Sequence, residues 1–429
     1  MPSVLLELND CGVRCANGAV SVVSPGYALL EKDRIITGEE AREKVFVAPQ
    51  VSFSQFWQQL NLSPLAIKSP LARHNADLAY AHLMAVLEAV GQPAQIALAV
   101  PGSFSREQLG ILLGLAQAAK VEVTGLVDSA LLATHQLEKG DYWHLDIQLH
   151  QLVATQITIT DKVRRGEVIL QPGLGLRTLH DLWAHAIADQ FISQYRYDPL
   201  HHAQGEQQLH DRLPGWLEKL QNSWDISLAL ASKQGDYQLN LDRSAVIGAT
   251  SDRFYKLKQQ LQKKQPLARV VLSHRLALLP GIGEVFDHSE VLQNNAVTAG
   301  FQAHSTKLGS SDGAVRLVTE LPLQEAGSTV TSAVEELTER QLAADVTHLL
   351  YQGVAWPLDE TLLLDKGNGE LHYSNEPDTN EPDRKFLRNV NGKWFLKTTQ
   401  SGAPLACGAQ VQVEGHSLTL IRVAGIPAQ

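Results

Sequence analysis

Residues 100–133 read VPGSFSREQLGILLGLAQAAKVEVTGLVDSALLA, and they indicate how the first part of the chain is built. A short apolar run at residues 95–100 precedes them and predicts a buried strand. Ser105, followed three residues later by Gln108, is a capping-box pattern that predicts the start of a helix. The run VEVTGLV then predicts a second strand, and a second helix begins near Asp128. Strands and helices in alternation predict an α/β fold.

The alternation continues on both sides of this stretch. Asn75 is a helix-capping residue type and Gly91 is a typical helix terminator, so a helix is predicted between them. Residues 145–160 and 167–171 alternate in polarity as paired strands do. The other predicted elements are strands at residues 4–8, 20–23, 28–30, 237–241 and 269–272, and helices at residues 176–195, 204–231 (interrupted by Pro214) and 251–264.

The character of the sequence changes after residue 305. Gly, Ser, Asp and Glu dominate residues 306–345 without a sustained apolar period, which predicts a linker. Residues 346–429 contain short β-type runs separated by Asn and Gly clusters, which predicts a small β-sandwich. Three parts are therefore expected: an α/β domain over residues 1–305, the linker, and the sandwich.

The last part also carries a loose family resemblance. Residues 384–421 read RKFLRNVNGKWFLKTTQSGAPLACGAQVQVEGHSLTLI, whose rhythm resembles the late strands of forkhead-associated domains. The Arg, Ser and His with which such domains read a phosphothreonine are not evident in the sequence. The resemblance therefore implies a fold and no phosphopeptide binding.

Composition excludes several classes of partner. The chain has 429 residues, a hydrophobic fraction of 44% and a formal net charge of -10. Its length predicts two or three units, and its acidic balance predicts no nucleic-acid partner. The N-terminal residues MPSVLLELND lack the basic region of a signal peptide, and no apolar run approaches the roughly 20 residues of a membrane span. We expect a cytoplasmic protein with no membrane partner.

The cysteines and one histidine group are the candidates for metal binding. The chain has 3 cysteines, an odd and sparse set that is unlike the disulfide framework of a small secreted domain. Cys11 and Cys15 lack further ligands at metal-site spacing, so both are expected to be small, partly buried core residues. His201, His202 and His210 lack a carboxylate in helical register, and a solvated surface position is expected for them.

The stretch at residues 100–133 resembles part of the nucleotide-binding domain of DnaK-type heat-shock chaperones. In that family a strand ends in Val-Pro, a capped helix follows, and then a strand and a helix that begins with Glu-Pro. Val100 and Pro101 match the first pair, whereas Asp128 and Ser129 stand in the place of the second.

Further segments agree with the same family in order and spacing, and together they cover residues 1–305. The resemblance implies a two-lobed actin-like ATPase fold, in which a ribonuclease-H-like domain is duplicated. The segments are KDRIITGEEAREK at 32–44, ADQFISQYRYDPL at 188–200, ARVVLSHRLALLPGIGEVF at 268–286 and AVTAGFQAHS at 296–305.

The resemblance also implies where a nucleotide would bind, and the first phosphate turn departs from the family pattern. That turn should carry Asp, Gly and two Thr, because only glycine permits so close a backbone path to phosphate. Here Glu7 could still hold a metal-bound water, and Asn9 replaces the glycine. Asp10, two residues before Gly12, places a negative charge where phosphate would lie.

The second phosphate turn and the adenosine side depart in the same way. The second turn should be Asp followed by three Gly; Asp146 is kept, but Gln148 and its neighbours in DIQLHQ replace the glycines. The catalytic Lys expected near Phe56 is absent from FSQFWQQL. On the adenosine side the family's glycine pair and basic residues are also missing, and the matching positions are Glu218, Gln221, Asn222, Ser273, His274 and Arg275.

These losses predict a catalytically degenerate DnaK-like protein that acts as a protein-interaction, chaperone-like or regulatory adaptor. No catalytic residue, metal ligand or cofactor is expected, and the expected partners are proteins. The alternative is an atypical ATP-binding protein or weak ATPase, in which Glu7 and Asp146 would hold Mg²⁺ for ATP or ADP. A sugar or acetate kinase on the same broad fold is disfavoured, because it too needs the glycine turns and a positioned catalytic carboxylate.

The family joins its two domains by an apolar, acidic linker, and two runs compare with it. TLLLD at residues 361–365 lies far from residue 296, so an ordinary strand is favoured there. VRLVTEL at residues 315–321 lies at a better distance but carries Arg316, and both interpretations of this run stay open.

Overall fold

A computed structural model of the chain describes residues 4–17, 20–221, 223–232, 235–308, 315–323, 338–358, 361–364, 371–374, 385–390, 392–398, 404–413 and 416–423. The chain divides into two compact units, Met1–Leu323 and Gln324–Gln429. The first unit is mixed α/β, as the alternation of elements predicts, and the described residues of the second form strands and turns. No described helix is long and apolar enough to cross a membrane.

Helices and strands alternate along the described part of the first unit. Its α-helices are α1 Glu39–Arg42, α2 Asn75–Ala89, α3 Arg106–Ala118, α4 Ser129–Ala133, α5 Leu176–Tyr195, α6 Ala203–Gln221, α7 Arg243–Lys264, α8 His274–Ala277, α9 Ile282–Val285 and α10 Ala296–Leu308. Its strands are β1 Val4–Glu7, β2 Val13–Asn17, β3 Val20–Ser24, β4 Ala28–Leu30, β5 Ile35–Thr37, β6 Ser52–Phe53, β7 Gln95–Val100, β8 Glu122–Asp128, β9 Gly140–Ile147, β10 Leu152–Ile159, β11 Lys162–Gln171, β12 Asp225–Ser232, β13 Gly235–Asp242, β14 Arg269–Leu272, β15 Glu290–Val291, β16 Leu317–Val318 and β17 Glu320–Pro322.

Two six-stranded sheets form the frame of this unit, and they repeat one topology. The first sheet has the order β16-β8-β7-β1-β2-β3, and the second has the order β15-β14-β9-β10-β11-β17. In each sheet an antiparallel meander, β1–β3 or β9–β11, is followed by two strands that run parallel to the first strand of the meander. β1 and β9 are therefore equivalent central strands, and the turns that follow them are equivalent too.

Side-chain caps at Ser105 and Asp128 fix the starts of two helices, whereas α2 begins at Asn75 with His74 in the capping position. The hydroxyl of Ser105 accepts a hydrogen bond from the Gln108 N–H at 3.2 Å, and the Gln108 side chain accepts one from the Ser105 N–H at 2.9 Å. The carboxylate of Asp128 caps α4 by accepting the Ala130 N–H at 2.9 Å. The predicted capping box of α3 is confirmed, and each bond satisfies an amide that the first helical turn leaves unpaired.

One hydrophobic cluster joins the two sheets. It contains Leu5 of β1 and Val127 of β8 from the first sheet, and Ile157 of β10 and Val271 of β14 from the second, together with side chains of α4 and α10. Burial of apolar surface stabilises a fold by about 25 cal/mol per Å². The two sheets are therefore held to each other by a core of their own.

The helix predicted over residues 204–231 is wrong in its second part. α6 ends at Gln221, and Asp225–Ser232 is a strand that pairs with Gly235–Asp242. Leu228 and Leu230 alternate with exposed neighbours and are buried, which is the period of a strand.

Part of the predicted linker, residues 315–323, belongs to the first unit. Leu317–Val318 pairs in parallel with β8, and Glu320–Pro322 pairs antiparallel with β11. We call residues 315–323 the strap, because they add an edge strand to each of the two sheets. The first unit therefore extends to Leu323, beyond the expected boundary at residue 305. The side chain of Leu321 is 2% exposed. It anchors this short run in the hydrophobic cluster between the two sheets.

The second unit contains two sheets around one core. Its strands are β18 Thr338–Gln341, β19 His348–Tyr351, β20 Val354–Pro357, β21 Thr361–Leu364, β22 Leu371–Ser374, β23 Lys385–Val390, β24 Lys393–Thr398, β25 Gln410–Val413 and β26 His416–Ile421. They form a five-stranded sheet, β18-β24-β23-β21-β22, and a four-stranded sheet, β20-β19-β26-β25. Leu362 and Leu396 from the first sheet and Leu349 and Leu418 from the second share one cluster. The favoured interpretation of residues 361–364 as an ordinary strand is confirmed.

Candidate functional site

The turns that follow the equivalent strands β1 and β9 contact each other. Nδ2 of Asn9, in the first turn, donates to Oδ2 of Asp146 at 2.9 Å and to the Ile147 carbonyl at 3.0 Å. Oδ1 of Asp10 accepts the backbone N–H of Leu149, in the second turn, at 2.7 Å. The duplicated topology thus brings together residues 139 positions apart in the sequence.

Arg275 forms the second connection between the two sheets at this point. It lies in α8, directly after β14, and its guanidinium donates to the carboxylate of Glu7 at the end of β1. Its Nε also lies 3.6 Å from Oδ1 of Asp146. The cation therefore sits between one carboxylate from each central strand. The side chain of Glu7 is 4% exposed and that of Arg275 is 17% exposed, so little water screens the pair.

The charges of this cluster stabilise one another. Burial raises the pKa of Asp146, but Arg275, His144 and hydrogen bonds from Ser273 and Asn9 together lower it below its ordinary value. Burial lowers the pKa of Arg275, whereas Asp146 and Glu7 raise it to a net value above normal. Both groups are held in their charged forms, as expected for a buried pair with hydrogen bonds on both partners.

Asp10 behaves differently, because no basic side chain in the described part of the chain forms an ion pair with it. Burial raises its pKa to about 7, although the hydrogen bond from the Leu149 N–H opposes this rise. The group is therefore partly protonated near neutral pH. It lies at the point where the first turn meets the second.

Two backbone amides of each turn are already bonded within the protein. In the first turn, the Cys11 N–H donates to the Asn9 side chain at 2.9 Å, and the Gly12 N–H donates to the Asn9 carbonyl at 2.9 Å. In the second turn, the Gln148 N–H donates to the Gln151 carbonyl at 2.8 Å, and the Leu149 N–H is taken by Asp10. In phosphate-binding proteins the backbone N–H groups of glycine-rich turns bind the phosphate, and in this chain these four N–H groups have internal acceptors.

The start of α5 closes the second turn from the other side. The Leu176 N–H donates to the Gln148 carbonyl at 2.9 Å, and the Arg177 N–H donates to the Leu149 carbonyl at 2.8 Å. A Cβ at Gly175 would lie 2.2 Å from the backbone of His150, so only glycine permits this approach. The first two amides of α5, which could attract an anion, are therefore occupied as well.

A cavity of about 580 Å³ opens beside these turns. One face of α6 lines it with His210, Pro214, Glu218 and Gln221, which follow each other at helical spacing. Cys11 of the first turn and Leu149 of the second lie at its base, and Arg275 also borders it; other lining residues include Tyr27, Arg42, Phe46, Leu176, Arg177, His180, Gln207 and Leu278. The cavity is within the size range of small-molecule sites.

Contacts between the α1 region and α6 close one side of this cavity. The ring of Phe46 stacks on His210 at a centroid distance of 4.1 Å, and Arg177 lies over the other face at 4.3 Å. The Phe46 N–H donates to the Gln207 side chain at 2.9 Å, and Gln207 donates in turn to the Asp211 carboxylate at 2.9 Å. Since Phe46 follows α1 and His210 lies in α6, these contacts join two elements that are far apart in the sequence.

Most of the residues singled out in the sequence lie around this cleft. Glu7, Asn9, Asp146, Ser273 and Arg275 form one bonded group, in which Ser273 also caps α8. Glu218 and Gln221 line the cavity, whereas His274 borders a separate small cavity of about 20 Å³ with Asp146 and Arg275. Asn222 lies outside the described residues. Of the remaining positions, Gly12 lies in the first turn and Gln148 is buried in the second, where its side chain accepts from Gln151 at 2.7 Å.

Several residues of the cavity were not expected from the sequence. The expected surface position of His210 is wrong: the side chain is 7% exposed and stacks on Phe46, while His201 and His202 are exposed. Arg42 and Phe46 were not predicted as site residues either. The spacing of Gln207, His210, Pro214 and Leu217 along α6 was the sequence pattern that could have indicated an inward face.

No group of three or more His, Cys, Asp or Glu side chains in the described residues is arranged to hold a metal ion. The three cysteines are free, with Cys15 buried and Cys11 partly buried. Comparison with protein-family models finds no match for the chain, and comparison with curated proteins finds none either.

Proposed function

We propose that the chain is a catalytically degenerate member of the DnaK-like group, built on a two-lobed actin-like ATPase fold, and that it acts as a protein-interaction or regulatory adaptor. The repeated strand order of the two sheets supports the fold assignment, because the proposed architecture is a duplicated domain with a cleft between its halves. Each half would contribute one turn to that cleft, as the turns after β1 and β9 do.

The proposal that catalysis is lost rests on side chains of the protein that bond to the groups a nucleotide and its metal would need. In an ATPase of this kind the turns would donate backbone N–H groups to phosphate, and the carboxylates would hold Mg²⁺ through oxygen. Here the carboxylate of Asp10 takes the Leu149 N–H, and the guanidinium of Arg275 lies between Glu7 and Asp146. One side chain thus takes a position suited to an anion, and another takes a position suited to a cation.

The same contacts support a regulatory rather than a catalytic role. Nucleotide would stabilise closure of the two halves in an active relative, because it contacts both of them. In this chain Arg275 and Glu7 on one side, and Phe46 and His210 on the other, connect the halves without a ligand. A cleft that is closed by its own side chains presents a constant surface to a protein partner.

Calorimetric titration of the full chain with Mg-ATP and Mg-ADP tests the loss of nucleotide chemistry. We expect no heat of binding at micromolar nucleotide and no release of phosphate above the rate of a buffer blank. Micromolar binding together with phosphate release would favour the weak ATPase instead. Titration without Mg²⁺ separates metal-dependent binding from nonspecific heat.

The adaptor role is tested by affinity capture followed by mass spectrometry, with two baits. One bait is the full chain, and the other is a chain that ends at Leu323, the boundary of the first unit. A partner captured by the first bait alone binds through the second unit, and one captured by both binds the α/β unit. Capture of no specific protein by either bait would contradict the adaptor role.

A further inference from the structure

The cavity of about 580 Å³ has the walls of a small-molecule site. Its apolar part is formed by Val45, Leu149, Leu176, Leu217 and Leu278, which come from five separate elements or turns. Such walls favour a ligand with an apolar body, because burying apolar surface is the main source of affinity in cavities of this size. The polar groups then decide which kind of head group the ligand carries.

The arginines that border the cavity each have a carboxylate of their own. Arg42 pairs with Glu39 and lies 3.5 Å from Asp211. Nε of Arg177 lies 3.2 Å from Oδ1 of Asp181. Arg275, as described above, is shared between Glu7 and Asp146. Because each cation is already neutralised, the cavity offers a phosphate or carboxylate ligand little net attraction.

The histidines add no positive charge to the cavity near neutral pH. Burial, together with the nearby Arg177 and Arg42, lowers the pKa of His180 to about 4. Burial and Arg177 lower the pKa of His210 to about 3. Both imidazoles are therefore neutral at pH 7.

The face of α6 that lines the cavity carries residues with hydrogen-bond acceptors that are not used within the helix or by a basic side chain. Pro214 lies inside the helix and has no N–H, so the carbonyl of His210 cannot receive its regular helical bond. Gln221 donates its amide N–H to the Leu278 carbonyl, which leaves the amide oxygen as an acceptor. Glu218 lies on the same face, and no basic side chain of the described residues lies within ion-pair distance of its carboxylate.

We propose that this cavity binds an apolar molecule that carries a cationic or hydrogen-bond-donating nitrogen, with the body against the leucines and the nitrogen against Glu218 on α6. An aromatic amine is the simplest ligand of this class. The site needs no phosphate and no metal, so the proposal goes beyond the loss of nucleotide chemistry argued above.

Two matched probes test the charge preference in the full chain. Tryptamine and indole-3-propionate have the same ring and nearly the same length, but opposite charges. Titration followed by calorimetry or by ligand-observed NMR should show saturable binding of tryptamine and at least about tenfold weaker binding of the acid, because a charge-assisted bond contributes on the order of one power of ten. Absence of saturable tryptamine binding, or equal affinity for the acid, would overturn the proposal.

Two pairs of variants then locate the site. Glu218→Gln should weaken tryptamine binding about threefold to tenfold, since a partly exposed charge pair is worth little more; Glu88→Gln, at an exposed position of α2 outside the cavity, should not change it. Gly215→Phe should block the cavity, because Gly215 lines it and an added Cβ there meets no atom within 4 Å. Gly110→Phe is its control, at an exposed helical glycine with equally open space.

The variants also separate this proposal from the proposed function. If Gly215→Phe binds tryptamine as tightly as the unchanged chain, the cavity is not the site and the inference fails. Micromolar binding of Mg-ATP would contradict the loss of nucleotide chemistry, whereas the inference here is decided by the amine and acid titrations alone.

Discussion

The guanidinium of Arg275, directly after β14 of the second sheet, is bonded to the carboxylate of Glu7, which ends β1 of the first sheet. The pair spans 268 positions of sequence and is largely buried. Asp146 lies beside it in the central strand of the second sheet. The three side chains form an ionic centre between the halves of the α/β unit, and their removal has consequences that can be measured.

Replacing Arg275 should destabilise the α/β unit strongly. Arg275→Ala leaves Glu7 and Asp146 close together without a cation, and uncompensated buried charge costs about 3–5 kcal/mol. Denaturant unfolding should show this loss in the free energy of unfolding. Arg34→Ala removes an exposed pair with Glu31 and should change it by no more than about 0.5 kcal/mol. If the two variants lower the free energy of unfolding equally, the buried ionic centre stabilises the chain no more than an exposed ion pair does.

A double variant distinguishes buried charge from lost packing. Arg275→Met with Glu7→Gln keeps much of the volume but removes one positive and one negative charge. It should recover part of the stability that Arg275→Ala loses, because one of the two carboxylates left without a cation becomes neutral and only Asp146 remains. A double variant that is less stable than Arg275→Ala would contradict this explanation.

Asp10 should make stability depend on pH between about 4 and 7. Its pKa is about 7 in the folded chain and near the ordinary value of about 4 when unfolded, so the folded state binds the extra proton across this range. The contribution of Asp10 to stability is therefore present below about pH 4 and is lost as the pH rises toward 7. Asp10→Asn should match the unchanged chain at pH 4.5 and exceed it at pH 8, by an amount of order 1–3 kcal/mol.

Unfolding of both chains across this pH range checks the prediction. A difference in stability that stays constant from pH 4.5 to pH 8 would show that Asp10 does not titrate there. Asp33→Asn is a suitable control, because Asp33 is exposed and should give no comparable trend.

The sequence predicts those features of the fold that depend on a few neighbouring residues. Ser105 with Gln108 fixed the start of α3, and the apolar period of residues 176–195 gave α5 with its observed bounds. Residues 225–231 were predicted as the end of a helix, and their Leu and Ala residues do have good helix propensity. Pairing with β13 and burial of Leu228 and Leu230 outweigh that local preference.

The strap and the cleft could not be predicted, because both depend on contacts between residues that are far apart in the sequence. Leu317–Val318 has no periodic signal, and only the open edge of β8 makes it a strand. The candidate residues Glu7, Asp146 and Arg275 were found through a family resemblance, but nothing in the sequence indicated that they bond to one another. His210 was expected at the surface, since a single helical position does not reveal that Phe46 will stack on it.

The strap should contribute to the stability of the α/β unit through Leu321. Its side chain is buried in the cluster shared by both sheets, so Leu321→Ala should cost about 2–4 kcal/mol. Leu267→Ala removes the same atoms at a position that is 94% exposed and should cost no more than about 0.5 kcal/mol. Chemical denaturation compares the two variants. If Leu321→Ala is as mild as Leu267→Ala, residues 315–323 do not hold the sheets together.

Two helical glycines should respond in opposite directions to alanine. In α3, Gly110 is exposed and an added Cβ meets no atom within 4 Å, so Gly110→Ala should stabilise the chain by about 0.5–1 kcal/mol through helix propensity. In α10, a Cβ at Gly300 would lie 2.1 Å from the carbonyl oxygen of Leu132, where α10 packs on α4. Gly300→Ala must therefore push the two helices apart, and overpacking of this kind costs about 1–3 kcal/mol. Thermal unfolding of both variants measures the difference, and a stabilised Gly300→Ala chain would mean that α4 and α10 are not in the close contact described.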